Sequence, residues 1–180
     1  MKKIIMLISL LFIVTAISAQ AFYYDKTQTI KEEGYTYQCD VIEKAKYVRL
    51  YNKDNHFTYA DQVNRNTGEI ITIAEEKEKQ FENDTWTRPK CVSIINDAFS
   101  VAEKQRVKGQ GVIIILYIDS DSGKISEVEY QFLSIGPYAT IPVSVYRKIE
   151  VELKKNIWFT PTKEGAKRNF ILLAWDHEVK

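Results

Sequence analysis

Residues 111–128, GVIIILYIDSDSGKISEV, carry the most regular apolar pattern in the chain, two β-branched runs flanking a polar turn that ends in glycine. Residues 112–118 are almost continuously apolar, as a central strand covered on both faces must be. Ile125, Val128 and Tyr130 alternate more loosely with Ser126, Glu127 and Glu129. The pattern predicts a β-hairpin that floors a core. Upstream, Val92, Ile95, Phe99, Ala102 and Arg106 recur at helical spacing within residues 89–108, with Gly109 placed to close one helix. Downstream, Tyr146, Ile149, Leu153 and Ile157 predict the buried stripe of a second helix. Thr140 stands as its cap, Pro142 in its first turn, and Lys154 and Lys155 at the end where the dipole favours cations. Residues 169–179, NFILLAWDHEV, read as a final strand.

Between residues 22 and 73 the pattern is strand-like, and Asn, Asp and Gly clusters punctuate it. Strands are expected at residues 36–42, 46–51, 57–63 and 69–73, with turns at Glu32-Glu33-Gly34, residues 52–55 and residues 64–68. Residues 75–82 alternate glutamate and lysine around one anchor, Phe81, and predict a short connector helix. The expected class is α+β: a β-rich antiparallel meander with the connector over residues 22–88, then an α/β region over residues 89–180.

The first residues change the expected address. Met1-Lys2-Lys3 precedes an apolar run at residues 4–17 broken only by Ser9 and Thr15, followed by Ser18-Ala19-Gln20-Ala21. This is the pattern of a secretory signal over residues 1–21, cut after Ala19 or Ala21, and the run is shorter than the roughly 20 residues a bilayer span needs. The mature protein is expected to be periplasmic or secreted, with no stable membrane span. Lys and Arg number 25 in the whole chain against 24 Asp and Glu, so loss of Lys2 and Lys3 leaves the mature form near neutral. The lysines are interspersed with glutamates rather than gathered on one face, which excludes nucleic acid as a partner.

Cys39 and Cys91 are the only cysteines. In an exported chain they invite a disulfide; equally, Cys39 lies on a Tyr35, Tyr37, Val41 alternation and Cys91 at the start of a helical pattern, where each would serve as a small buried residue. His56 and His177 are the only histidines and neither has a second ligand at metal spacing, so no metal, triad or cofactor is expected. Asp119, Asp121 and Ser122 lack the closing glutamate of a calcium loop and read as the hairpin turn. Glu127 and Glu129 share a strand face, as a glycosidase pair would, or stand there as solvated carboxylates; Asp61 and Asp176 are the other acids that could converge with them. Seven of the eleven tyrosines fall between Tyr23 and Tyr59, which suits either a glycan- or protein-binding sheet or ordinary cross-strand pairing.

The order helix, hairpin, helix, strand, with Arg106-Val107-Lys108-Gly109 before the hairpin, Asp121-Ser122-Gly123-Lys124-Ile125 in its turn and Phe159-Thr160-Pro161 after the second helix, resembles the TonB C-terminal domain over residues 89–180. That family carries a tryptophan two residues before the aromatic, where this chain has Ile157 and displaces the tryptophan to Trp158. The resemblance implies a two-layer α/β domain whose sheet edge takes up a short strand from another protein. It does not carry energy transduction with it, because no proline-rich spacer is present. The segments GYTYQCDV and LYNKDN resemble a group of small exported proteins of Gram-negative gut bacteria with no assigned activity.

Two readings follow. In the first, the protein is a non-catalytic interaction module that binds an envelope protein or peptide at an open edge formed by Asn169, Phe170, Ile171, Leu172, Leu173, Ala174 and Trp175. Phe170, Leu172, Ala174 and Asp176 would stand on one face and Ile171, Leu173 and Trp175 on the other, with Ile157 and Phe159 buried beneath the helix and Lys124 and Glu127 solvated. In the second, it is a secreted or periplasmic hydrolase or glycan-binding protein that uses its carboxylates and tyrosines.

Overall fold

The structure, a computed structural model, describes residues 22–72, 75 and 77–180. The expected signal at residues 1–21 lies outside the described residues, as does part of the expected connector. Six strands form one antiparallel sheet: β1 (Gln28–Glu32), β2 (Tyr35–Ile42), β3 (Tyr47–Asn52), β4 (Gly111–Ile118), β5 (Ile125–Leu133) and β6 (Ile171–Glu178), in the order β1-β2-β3-β5-β4-β6. The hairpin read from the sequence is β4–β5. Its outer flank is closed by β3, which pairs with β5 from Tyr47↔Leu133 to Tyr51↔Glu129 and so joins the N-terminal strands to the rest in a single sheet. On one face, among the described residues, lie three helices, α1 (Thr87–Ala98), α2 (Val101–Val107) and α3 (Val143–Asn156), so the fold is α+β.

Alternation along each strand decides what faces the helices. Tyr37, Leu50, Ile114, Leu116, Val128 and Tyr130 point inward and are fully buried, and they meet Ile95 of α1 and the Tyr146, Ile149 and Leu153 stripe of α3. Each such side chain contributes about 1.5 to 3 kcal/mol by leaving water. The buried tyrosines keep their hydroxyls satisfied: Tyr24 donates to the Ile141 carbonyl, Tyr130 to that of Tyr146 and Tyr146 to that of Tyr138, at 2.8 to 2.9 Å. Glu150 on α3 is also fully buried; it accepts from the Tyr37 hydroxyl and lies 2.9 Å from Arg147.

Several local expectations are corrected. The helix expected over residues 89–108 is two, because Phe99 turns extended and Ser100 starts α2 with a capping box, its side chain accepting from the Glu103 N–H while Glu103 reaches back to the Ser100 N–H. The break resets the buried face: Val107 is buried, whereas Ala102 and Arg106 are exposed. Thr140 does not cap α3; it ends a 3₁₀ turn (Pro137–Thr140), donates to the Pro137 carbonyl, and α3 starts after Pro142. Residues 57–63 and 69–72 supply no named strand, only the single Val63↔Ile70 bridge, since residues 55–62 fold over the sheet instead of joining it, and residue 73 of the expected strand lies outside the described residues. Residues 77–82 form no helix: Glu82 N–H donates to the Thr160 carbonyl and Thr162 N–H to that of Gln80, so this stretch is extended beside the exit of α3. Phe81 anchors it by packing on Phe159, ring centroids 4.8 Å apart. Ile157 is buried as expected and Phe159 only half so.

Cys39 and Cys91 are free and buried. Cys39 sits on β2, while Cys91 sits on α1, whose Arg88 lies over the Trp175 ring of β6. Four strand spacings at about 4.8 Å separate β2 from β6, roughly 19 Å, where a disulfide needs its Cα atoms within about 7 Å. The disulfide reading therefore fails and the small-buried-residue reading holds. Burial pushes the Cys39 thiol up to about 12 and the Cys91 thiol up to about 11, so both stay protonated.

Candidate functional site

Two surfaces stand out once the core is accounted for: the flank of β6 and the sheet face turned away from the helices. Among the described residues β6 is the last strand of the sheet and pairs only with β4, from Gly111↔Glu178 to Ile118↔Ile171. The predicted alternation is present. Ile171 and His177 are buried and Leu173 and Trp175 half-buried on the helix side, while Leu172, Ala174, Asp176 and Glu178 are exposed on the other. Arg88 stacks on Trp175 at 4.4 Å, and the His177 ring lies 3.1 Å from Asn96 Oδ1, with its pKa lowered by burial and by Arg88.

The predicted edge begins two residues too early. Asn169 N–H donates to the Val63 carbonyl, Asn169 Oδ1 accepts from Val63 N–H, and Gln62 Nε2 donates to the Phe170 carbonyl, so residues 61–63 already occupy that position. Phe170 is buried under Phe57, centroids 4.6 Å apart. Among the described residues the flank from Ile171 to Glu178 has no further strand beside it, and at its start a cavity of about 380 Å³ lies between Asp61, Gln62, Gln80, Phe170 and Leu172.

The outer face carries a polar network across five strands. Thr29 Oγ1 donates to Gln38 Oε1 and Gln38 Nε2 to Asp40 Oδ1, each at 2.8 Å; Tyr51 and Tyr59 hydroxyls both donate to Asp40 Oδ2, at 2.8 and 2.7 Å. Burial alone would raise Asp40, but the bonds from Tyr59, Gln38 and Tyr51 outweigh it and hold the carboxyl below its ordinary value. Arg49 lies 4.6 Å from the Tyr59 ring centroid and 2.9 Å from Glu129 Oε1. Glu129 also accepts from Tyr117 at 2.8 Å and from Gln131 at 2.5 Å, and Gln131 in turn accepts from Tyr47 at 3.0 Å.

Glu127, expected to be solvated, is buried, because its two carboxylate oxygens accept from the His56 and Phe57 N–H groups at 2.7 and 2.9 Å and pin residues 55–62 to the sheet. Glu129, likewise, is not a surface carboxylate but is fully buried. Lys124 is exposed as expected. The four acids do not meet in one cavity: Asp61 lines the one beside Leu172, Asp176 another beside Tyr47 and Leu133, and Glu127 and Glu129 are consumed by the contacts above. The tyrosines divide between the two faces, Tyr24 and Tyr37 in the core and Tyr47, Tyr51 and Tyr59 outside. Asp40 and Arg49 went unremarked in the sequence, where their one signal is a polar residue set between Cys39 and Val41 and between Val48 and Leu50.

With this geometry in hand, comparison with known proteins places the chain. Residues 20–175 match the family described as a domain of unknown function, DUF5043, and the chain belongs to that family. It is similar to a DUF5043 family protein from Bacteroides uniformis ATCC 8492, whose crystal structure was solved at 1.85 Å: 36% identity, a TM-score of 0.83, and 88% of this chain covered against 95% of that one. No curated protein matches the chain.

Proposed function

We propose that this is an exported interaction module that captures an extended peptide segment of an envelope protein by strand addition along the outward flank of β6. The observation that carries the reading is that, among the described residues, β6 ends the sheet with β4 as its only strand partner, leaving a row of main-chain donors and acceptors facing outward. The β5-β4-β6 sequence of strands beneath the helices supports the likeness to TonB C-terminal domains, in which that edge receives a partner. In strand addition the backbone supplies the bonds and side-chain pockets supply selectivity, a part suited to the cavity beside Leu172.

The test is capture from a random peptide library followed by amide exchange. In the free protein, alternate amides of residues 171–178 should exchange fast, those pointing away from β4; a bound peptide should protect that set. Proline at a fast-exchanging position should abolish capture and leave the circular dichroism spectrum unchanged. Peptide binding that leaves those amides fast would place recognition elsewhere.

Export is the other half of the proposal and rests on the leader pattern at residues 1–21, with the family match starting at residue 20. Mass spectrometry of the protein recovered from its host should show an N-terminus at Gln20 or Phe22, since only those cuts leave alanine as the last residue removed. A periplasmic form retaining Met1 would instead mean an anchored protein.

A further inference from the structure

We propose that the cavity at the β2–β3 end of the outer face binds a neutral, hydroxyl-rich ligand, a saccharide, with the Tyr59 ring as its stacking platform. The site is independent of the β6 edge, which lies at the far side of the sheet. Its volume is about 340 Å³, near the lower end of small-molecule pockets and suited to one or two sugar rings, and its walls include Gln38, Asp40, Tyr51, Lys53, His56 and Tyr59.

Tyr59 carries the argument first. It is 66% exposed, yet it is held from three directions: its hydroxyl donates to Asp40, its ring stands at 87° to that of Tyr51 with centroids 6.1 Å apart, and the Arg49 guanidinium lies against it at 4.6 Å. A large apolar ring kept in water and fixed in place has already lost the freedom that binding would otherwise remove. The C–H face of a pyranose matches such a ring, while its hydroxyls need polar groups at the ring's edge.

Those groups are present and of both kinds. Asp40, held ionised, is an acceptor fixed in the wall by Gln38 and two phenols. Lys53 and His56 are exposed at the rim, and among the described residues neither side chain has a hydrogen-bond or ion-pair partner in the protein. The charge of Asp40 offsets that of Lys53. An anionic ligand would meet Asp40 and a cationic one would meet Lys53 with Arg49 behind it, whereas an uncharged polyol can use the acceptor and the donors together.

The test is NMR titration of the intact protein with glucose, galactose, maltose and cellobiose, and with glucuronate and glucosamine as charged counterparts. At least one neutral sugar should shift the Tyr51 and Tyr59 ring resonances and receive saturation transfer from them, and bind more tightly than either charged sugar. Tyr59→Ala should weaken it by about tenfold, the order expected from the loss of one aromatic contact. Tyr59→Phe, which keeps the ring, should retain most of the binding, and Asp40→Asn, which keeps the shape and removes the charge, should weaken it. Absence of binding by all four neutral sugars, preference for a charged one, or affinity unchanged in a folded Tyr59→Ala protein would each overturn the proposal.

Discussion

Gly123→Ala should destabilise the protein by about 3 kcal/mol or more, read as a lower denaturation midpoint at unchanged slope. Gly123 closes the β4–β5 turn at φ +70°, a conformation that costs an L-residue about 1 to 2 kcal/mol by itself. The rest comes from contact. An added Cβ would lie 1.8 Å from the carbonyl oxygen of Phe159, and that oxygen cannot retreat cheaply, because Phe159 N–H donates to the Gly123 carbonyl at 2.8 Å and Lys124 bridges Trp158 beside it. Gly68 provides the control: its φ is +77° but nothing lies within 4 Å, so Gly68→Ala should cost only the conformational part. Equal losses in the two variants would show that the turn and the exit of α3 are not in contact in solution.

Arg49→Ala should cost about 3 kcal/mol at neutral pH, through Glu129 rather than through Arg49 itself. Glu129 is fully buried and, among the described residues, Arg49 is the only cation paired with it; the arginine side chain is 29% exposed, which puts the loss at the lower end for a broken buried pair. Burial raises Glu129 above its ordinary value of 4.5, against the bonds from Gln131 and Tyr117 and the charge of Arg49. A raised folded-state pKa means the native state holds the proton more tightly than the unfolded chain. That contribution is complete below pH 4.5 and is lost as pH rises through the folded value. Removing Arg49 should raise the folded value further, so the deficit of Arg49→Ala should be largest at neutral pH and shrink toward pH 4. Glu129→Gln added to Arg49→Ala should recover most of the neutral-pH loss, measured as a double-mutant cycle. A deficit that is the same at both pH values would assign the effect to packing of Arg49 on Tyr59.

The features legible in the sequence are those that a local period controls. The β4–β5 hairpin, the α3 stripe through Tyr146, Ile149 and Leu153, and the alternation of β6 all follow from spacing, because burial on one face imposes it. The Ser100 break has a local signature, Ser-x-x-Glu, but the apolar spacing continues across it and favours a single helix. Residues 57–63 read as a strand and do not form one, because what shapes the start of that stretch, the Glu127 carboxylate, lies some seventy positions away. The same holds for Asp40 and Tyr59, 19 positions apart, whose bond no short motif could announce. Whether Cys39 could reach Cys91 depended on which strand β3 joined, and pairing partners of that range are set by the whole sheet.

Those two thiols bear on reversibility. In the native state each is sealed and protonated, and the width of the sheet keeps them apart. In the unfolded chain nothing does. Under oxidising conditions the open chain can close a cross-link that the sheet has no way to accommodate, and a molecule so trapped must be reduced before it refolds. Unfolding would then be a one-way passage wherever the surroundings are oxidising, and the lifetime of the protein there would be set by how rarely it opens rather than by the depth of its free-energy minimum.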